Sequence, residues 1–230
     1  MPSLRESFSQ VLAALTGAPT RSAADADFGS PLELALAAAL ERSGDRKRAF
    51  LVISALTRSG LLADAATLAA ASPHELCDAL AEMGLTLPTP TARMLSRIAR
   101  WLDASGLDSR GEPWDLSRAG RLRDALARQP GIGPTTAGAV LLALGVPAYP
   151  IDRATYRILA RHAWIEPAAP PEEVAGLLVE LADGRVDDLR HLAAGFGVIG
   201  RRHCHAASPD CRDCPLAPWL PESGPVAPDG

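Results

Sequence analysis

The stretch from Leu126 to Leu141 constrains this chain more than any other. Pro130-Gly131-Ile132-Gly133-Pro134 cannot continue a helix, because proline lacks the N–H and glycine frees the backbone. Helical spacing runs up to it through Leu122 and Leu126 and resumes beyond it at Ala137, Val140, Leu141 and Leu144. The pattern predicts a helix, a tight glycine turn and a second helix over about 118–144. Such a turn aims backbone N–H groups outward at the second helix's start, where the helix dipole also favours an anion. Gly131, Gly133, Thr135 and Thr136 are therefore candidate phosphate-binding positions. A plain glycine-capped connection between packed helices would use the same residues.

Val146-Pro147-Ala148-Tyr149-Pro150-Ile151-Asp152 follows at a short interval. Taken with Pro130 to Ala137, it resembles in order and spacing the hairpin of the helix-hairpin-helix (HhH-GPD) DNA glycosylases, the endonuclease III superfamily. The resemblance implies an all-α fold of two helical domains flanking a cleft. One is a barrel over 31–146 carrying the hairpin. The other joins residues 1–30 to 147–230 and ends in a metal-cluster loop. It also implies that Asp152 is the catalytic carboxylate, although a residue after Pro150 and before an apolar-periodic segment is equally an ordinary helix N-cap.

Composition agrees with helices. Hydrophobic residues make up 47% of the 230 residues and aromatics only 4%, and no run alternates long enough to argue for a sheet. Helices are expected around Phe8 to Leu15, from Pro31 to Leu40, over Phe50 to Leu56, and after a Ser72–Glu75 capping box. Thr91 is the expected cap of the helix carrying Met94, Ile98 and Trp101, and the tail from about Glu222 is expected to be disordered. No apolar stretch is long enough to cross a membrane and no secretory leader is apparent, so the expectation is a cytoplasmic, nucleoid-associated monomer.

A net charge of −4 opposes broad attraction to nucleic acid. Cations are nevertheless grouped: Arg93, Arg97 and Arg100 share one helical face, as do Arg153, Arg157 and Arg161, and Arg201, Arg202, His203 and His205 form a basic knot. Solvated faces account for such runs, and Arg153 is the member taken as a DNA contact.

Several positions depart from the family pattern. Bifunctional members carry a lysine where this chain has Thr135, and the single lysine, Lys47, lies in another segment. A hydroxyl cannot form the imine needed for strand cleavage, so the resemblance is to the monofunctional branch, in this stretch to the adenine-mismatch glycosylases. Those enzymes have a glutamate aligned with Ala38 and a further recognition domain, so adenine removal is not expected. The family's glutamine-rich wedge aligns with Glu41 to Asp45, where Arg42 is the candidate wedge, or else an exposed loop arginine.

Cys204, Cys211 and Cys214 match the first three ligands of the family's iron–sulfur loop, with Leu220 at the fourth place. The resemblance implies a [4Fe–4S] cluster, which ordinarily takes four thiolates; Asp210, His203, His205, Glu222 or solvent would have to complete it. Zinc held by three cysteines and a histidine is an alternative, and so is a loop with no metal. Cys77 reads as a buried small hydrophobe. The expected function is a monofunctional DNA glycosylase of base-excision repair acting on a damaged or mispaired base in double-stranded DNA. The alternatives are a catalytically weak DNA-structure-binding protein, and lyase activity through Lys47.

Overall fold

The structure, a computed structural model, describes residues 3–15, 28–43, 46–107 and 114–226. Among the described residues there are eleven α-helices, one 3₁₀ turn at Ala217–Trp219 and no strand. The helices are α1 (Leu4–Ala14), α2 (Pro31–Ser43), α3 (Arg46–Arg58), α4 (Ala65–Ala70), α5 (Pro73–Ala81) and α6 (Thr89–Ser105). They continue with α7 (Leu116–Ala127), α8 (Pro134–Ala143), α9 (Arg153–Arg161), α10 (Pro171–Leu181) and α11 (Val186–Arg202). The chain divides into two compact units, Ala23–Val146 and Met1–Ser22 with Pro147–Gly230.

In the first unit, α2 packs against α8. Both helices are apolar nearly all round, as central helices must be. Ala35, Leu36 and Ala37 on α2 and Ala137, Val140 and Leu141 on α8 have no exposed surface. Their many alanines let the two backbones approach closely, and truncating Leu36 or Leu141 to alanine would cost about 2–5 kcal/mol. Helix α3 packs on α2, α4 and α5 on α6, and α7 on α8.

Local chemistry sets the helix starts. Ser72 and Glu75 form the expected capping box, and Ser30–Glu33 makes the same reciprocal pair. Asp64 caps α4, a short helix without a sequence-level expectation, by accepting the Thr67 N–H at 2.7 Å. Thr91 is not a cap: α6 begins at Thr89, where Pro88 and Pro90 preset the backbone, and Thr91 lies inside its first turn. The Phe50–Leu56 segment is helical but not wholly inward, because Phe50 and Leu51 are 43% and 41% exposed.

In the second unit α11 packs against α1 and α9. Close approach demands glycine at the α9 crossing, since a Cβ at Gly200 would lie 2.6 Å from the Ala154 Cβ. The expected disorder from Glu222 is not what the structure has up to Val226. There the Val226 N–H donates to the Arg161 carbonyl at 3.0 Å, returning the chain onto α9. Residues 227–230, like Gly17, Pro19 and the Asp25–Asp27 segment, lie outside the described residues.

Candidate functional site

The hairpin forms at the predicted place. After α7 the chain turns through Gln129, whose carbonyl accepts the Ile132 N–H at 2.9 Å. Gly131 takes φ +81°, a left-handed conformation that a side chain would strain. Ile132 is 2% exposed and anchors the turn in the core. Gly133 then caps α8 with φ −89° and ψ 172°, and Pro134 occupies the first helical position. No side chain caps α8. The helix therefore starts on main-chain N–H groups at its positive dipole end, with Thr135 and Thr136 half-buried beside them. From α6, the Arg97 guanidinium donates to the Pro130 carbonyl and braces the turn.

Asp152 starts α9. Its backbone is extended, with φ −109° and ψ 171°, and its Oδ1 accepts the Thr155 N–H at 2.7 Å. The side chain is half-buried and Arg153, next to it, is exposed. Tyr149 lies beneath, fully buried, with no hydrogen-bond partner for its hydroxyl. Burial pushes its phenol pKa up, the Thr155 side chain partly opposes this, and the nearby Asp152 charge adds a smaller push upward, so it stays protonated. Asp152 is thus an N-cap in geometry and a partly solvated carboxylate in chemistry.

Arg42 sits exposed on the last turn of α2, not in a loop; Gly44 and Asp45 lie outside the described residues. Ala38 is 7% exposed and part of the α2 core. Lys47 is exposed on α3 and, with Arg48, Leu51 and Gly84, lines a groove of about 350 Å³.

The arginine runs are not simple solvated faces. Arg97 holds the hairpin and Arg100 donates to the Ala69 carbonyl at 2.9 Å. On α9, Arg157 donates twice to the Cys204 carbonyl, at 2.9 and 2.6 Å. Arg161, only 6% exposed, reaches the carbonyls of His205 at 2.6 Å and Ala206 at 2.7 Å and the Cys204 sulfur at 3.3 Å. Spacing alone could not find this inward role.

Cys204, Cys211 and Cys214 converge on one small cavity of about 20 Å³, lined also by Arg161, His162, His203, Asp210 and Leu220. Burial is the first cause raising the Cys211 and Cys214 thiol pKa values, and the neighbouring cysteines add to it. Cys77 is apart from them, its sulfur donating to the Leu87 carbonyl at 3.3 Å. A four-iron cube does not fit this loop. Leu220 offers only hydrocarbon at the fourth place, where the cube takes a fourth thiolate. Among the described residues, no group of three or more His, Cys, Asp or Glu side chains is placed to hold a metal ion. His205 and Glu222 are exposed and absent from the cavity wall.

Among the described residues, no helix is long and apolar enough to cross a membrane. No family model matches the chain. Over 100 residues, 42% of this chain, it is 35% identical to "Endonuclease III" of Bacillus subtilis (strain 168), and the match spans 43% of that protein, less than half its length. In fold it is similar to a non-covalent Endonuclease III–DNA complex, with a TM-score of 0.62 and 23% identity. A trapped Endonuclease III–DNA covalent intermediate, an estranged-adenine complex, gives a TM-score of 0.63 at the same 23% identity. Each comparison covers 96% of this chain and 97% of the other. The chain therefore takes an all-helical fold like that of endonuclease III.

Proposed function

We propose that the protein is a DNA glycosylase that acts as a monomer on double-stranded DNA, hydrolysing the N-glycosidic bond of a damaged or mispaired base. The observation that carries the reading is the hairpin: Gly131 in the left-handed region and α8 starting without a side-chain cap. Its main-chain N–H groups suit a phosphate of the backbone, and this contact positions a strand without reading sequence. Arg153 and Arg42, both exposed, are further phosphate contacts in this reading.

Asp152 supplies the chemistry. Leaving of the base builds positive charge on the sugar, which a carboxylate held in low dielectric stabilises. The same carboxylate accepts a proton from the attacking water. The base must first leave the stack, at a cost of a few kcal/mol that damage or mispairing lowers. Thr135, in the lysine's place, cannot form an imine with C1′, so the reaction stops at an abasic site.

A second reading, a DNA-structure-binding protein without efficient chemistry, draws on Asp152 already accepting the Thr155 N–H. One panel of duplexes, each with a single damaged or mispaired base, separates the two. Base release by the wild type that is lost in Asp152→Asn is the expected result. Binding without release by either protein would establish the second reading. Alkali-independent nicking lost in Lys47→Ala would overturn the monofunctional assignment.

A further inference from the structure

Tyr149 has no part in the proposed base release, yet its phenol is an expensive group to bury where it stands. The side chain is 2% exposed, and its hydroxyl is enclosed without a hydrogen-bond partner. Phenylalanine would fill the same space without taking a polar atom out of water. An enclosed polar group of this kind has its reason in what surrounds it. Tyr149 lies three residues before Asp152, and the chain bends between them as the Ile151 N–H donates to the Tyr149 carbonyl at 3.2 Å. Two side chains bear on the hydroxyl, that of Thr155 and, more weakly, the Asp152 carboxylate. Thr155 is itself buried, and its N–H is the donor that holds the Asp152 Oδ1 at 2.7 Å. All three residues belong to the second unit.

We propose that Tyr149 is a positioning residue for Asp152, its hydroxyl acting on the carboxylate through Thr155. Thr155 joins the two, with its side chain beside the phenol and its N–H on the carboxylate. A hydroxyl without a partner of its own orients in the field of the groups around it. In a buried setting that dipole acts more strongly than it would in water. It steadies Thr155 in the first turn of α9 and so keeps the Thr155 N–H on Oδ1. The carboxylate then keeps one orientation while positive charge develops on the sugar. The phenol retains its proton throughout, so no bond forms or breaks at Tyr149. The inference rests on the reading of Asp152 as the carboxylate that promotes base release.

The test uses the full chain in single turnover on a duplex from which the wild type releases a base, with DNA binding and thermal unfolding measured in parallel. Tyr149→Phe is expected to slow release by about tenfold while the dissociation constant for the same duplex stays within about twofold. Its melting temperature should stay the same or rise by up to about 4 °C, because an unpaired buried hydroxyl has been removed. Exchange of the Thr155 amide, followed by NMR, should quicken by about tenfold. Thr155→Val keeps the N–H and the shape but removes the side-chain hydroxyl, and should slow release by a similar factor. The double variant should lose no more than either single one, since both remove the same link. Multiplied losses would overturn the path through Thr155. A melting temperature lowered by more than about 4 °C in Tyr149→Phe would make the phenol a structural group and overturn the proposal. Undiminished release in Tyr149→Phe, with release lost in Asp152→Asn, would overturn this proposal alone. No release by the wild type from any duplex of the panel would overturn the glycosylase reading and this proposal with it.

Discussion

Helices α8 and α9 begin with nearly the same backbone and opposite chemistry. Gly133 and Asp152 both hold extended cap conformations, with ψ of 172° and 171°. The α8 start has no side-chain cap hydrogen bond, whereas the α9 start is bonded by its own carboxylate at 2.7 Å. A helix N-terminus attracts negative charge in either case. At α8 that charge has to come from outside the chain, which suits a site for a DNA phosphate. At α9 the chain provides it, and holds a carboxylate in one orientation at a half-buried position. In the proposed reading one start is a receptor, while the other carries a fixed anion. The difference lies in a single side chain.

Substitutions at these two starts can break the comparison. The largest effect is expected from Asp152→Asn, where base release should fall by about 10²-fold or more. Thermal stability should change by less than about 1 kcal/mol, because asparagine caps a helix as well as aspartate does. Undiminished release with an intact fold would make Asp152 a cap and nothing more. Next is Gly131→Ala, expected to cost about 1–2 kcal/mol in denaturant unfolding because φ +81° strains any L side chain. A neutral result would mean the turn relaxes and its geometry is not required.

Gly133→Asp converts the first start into a copy of the second. The backbone accommodates it, since a Cβ there meets nothing within 4 Å. Unfolding should show α8 stabilised by a few tenths of a kcal/mol, while the dissociation constant for duplex DNA at fixed low salt should rise by about fivefold to tenfold. Unchanged affinity would remove the phosphate site from the hairpin. The smallest effect is expected for Arg97→Met, which removes the brace on Pro130. A loss of about 0.5 kcal/mol in stability and a change in DNA affinity of no more than about threefold should follow. A larger loss of binding at unchanged stability would make Arg97 a direct DNA contact.

Much of the first unit can be read from residue order. Prolines and glycines at 130–134 stop one helix and start another whatever surrounds them, because φ limits and missing N–H groups are local facts. Ser72 with Glu75 works the same way. The cap geometry of Asp152 was equally legible, while its catalytic role came from resemblance alone. The α9 arginines were not legible. Their spacing fits a solvated stripe, and only the returning loop, with the carbonyls of Cys204, His205 and Ala206 facing α9, turns Arg157 and Arg161 inward. His162 likewise carries no local mark; it lines a cavity with three cysteines more than forty positions away.

Residue order alone determined the helix break at 130–134, the strained glycine turn, and the absence of an amine at position 135, since each follows from the bonding capacity of one residue and its neighbours. Which arginines hold the protein together, and which side chains share a cavity with the cysteines, was decided by tertiary structure. Those roles depend on what the fold places opposite a side chain, and spacing along one helix is blind to that.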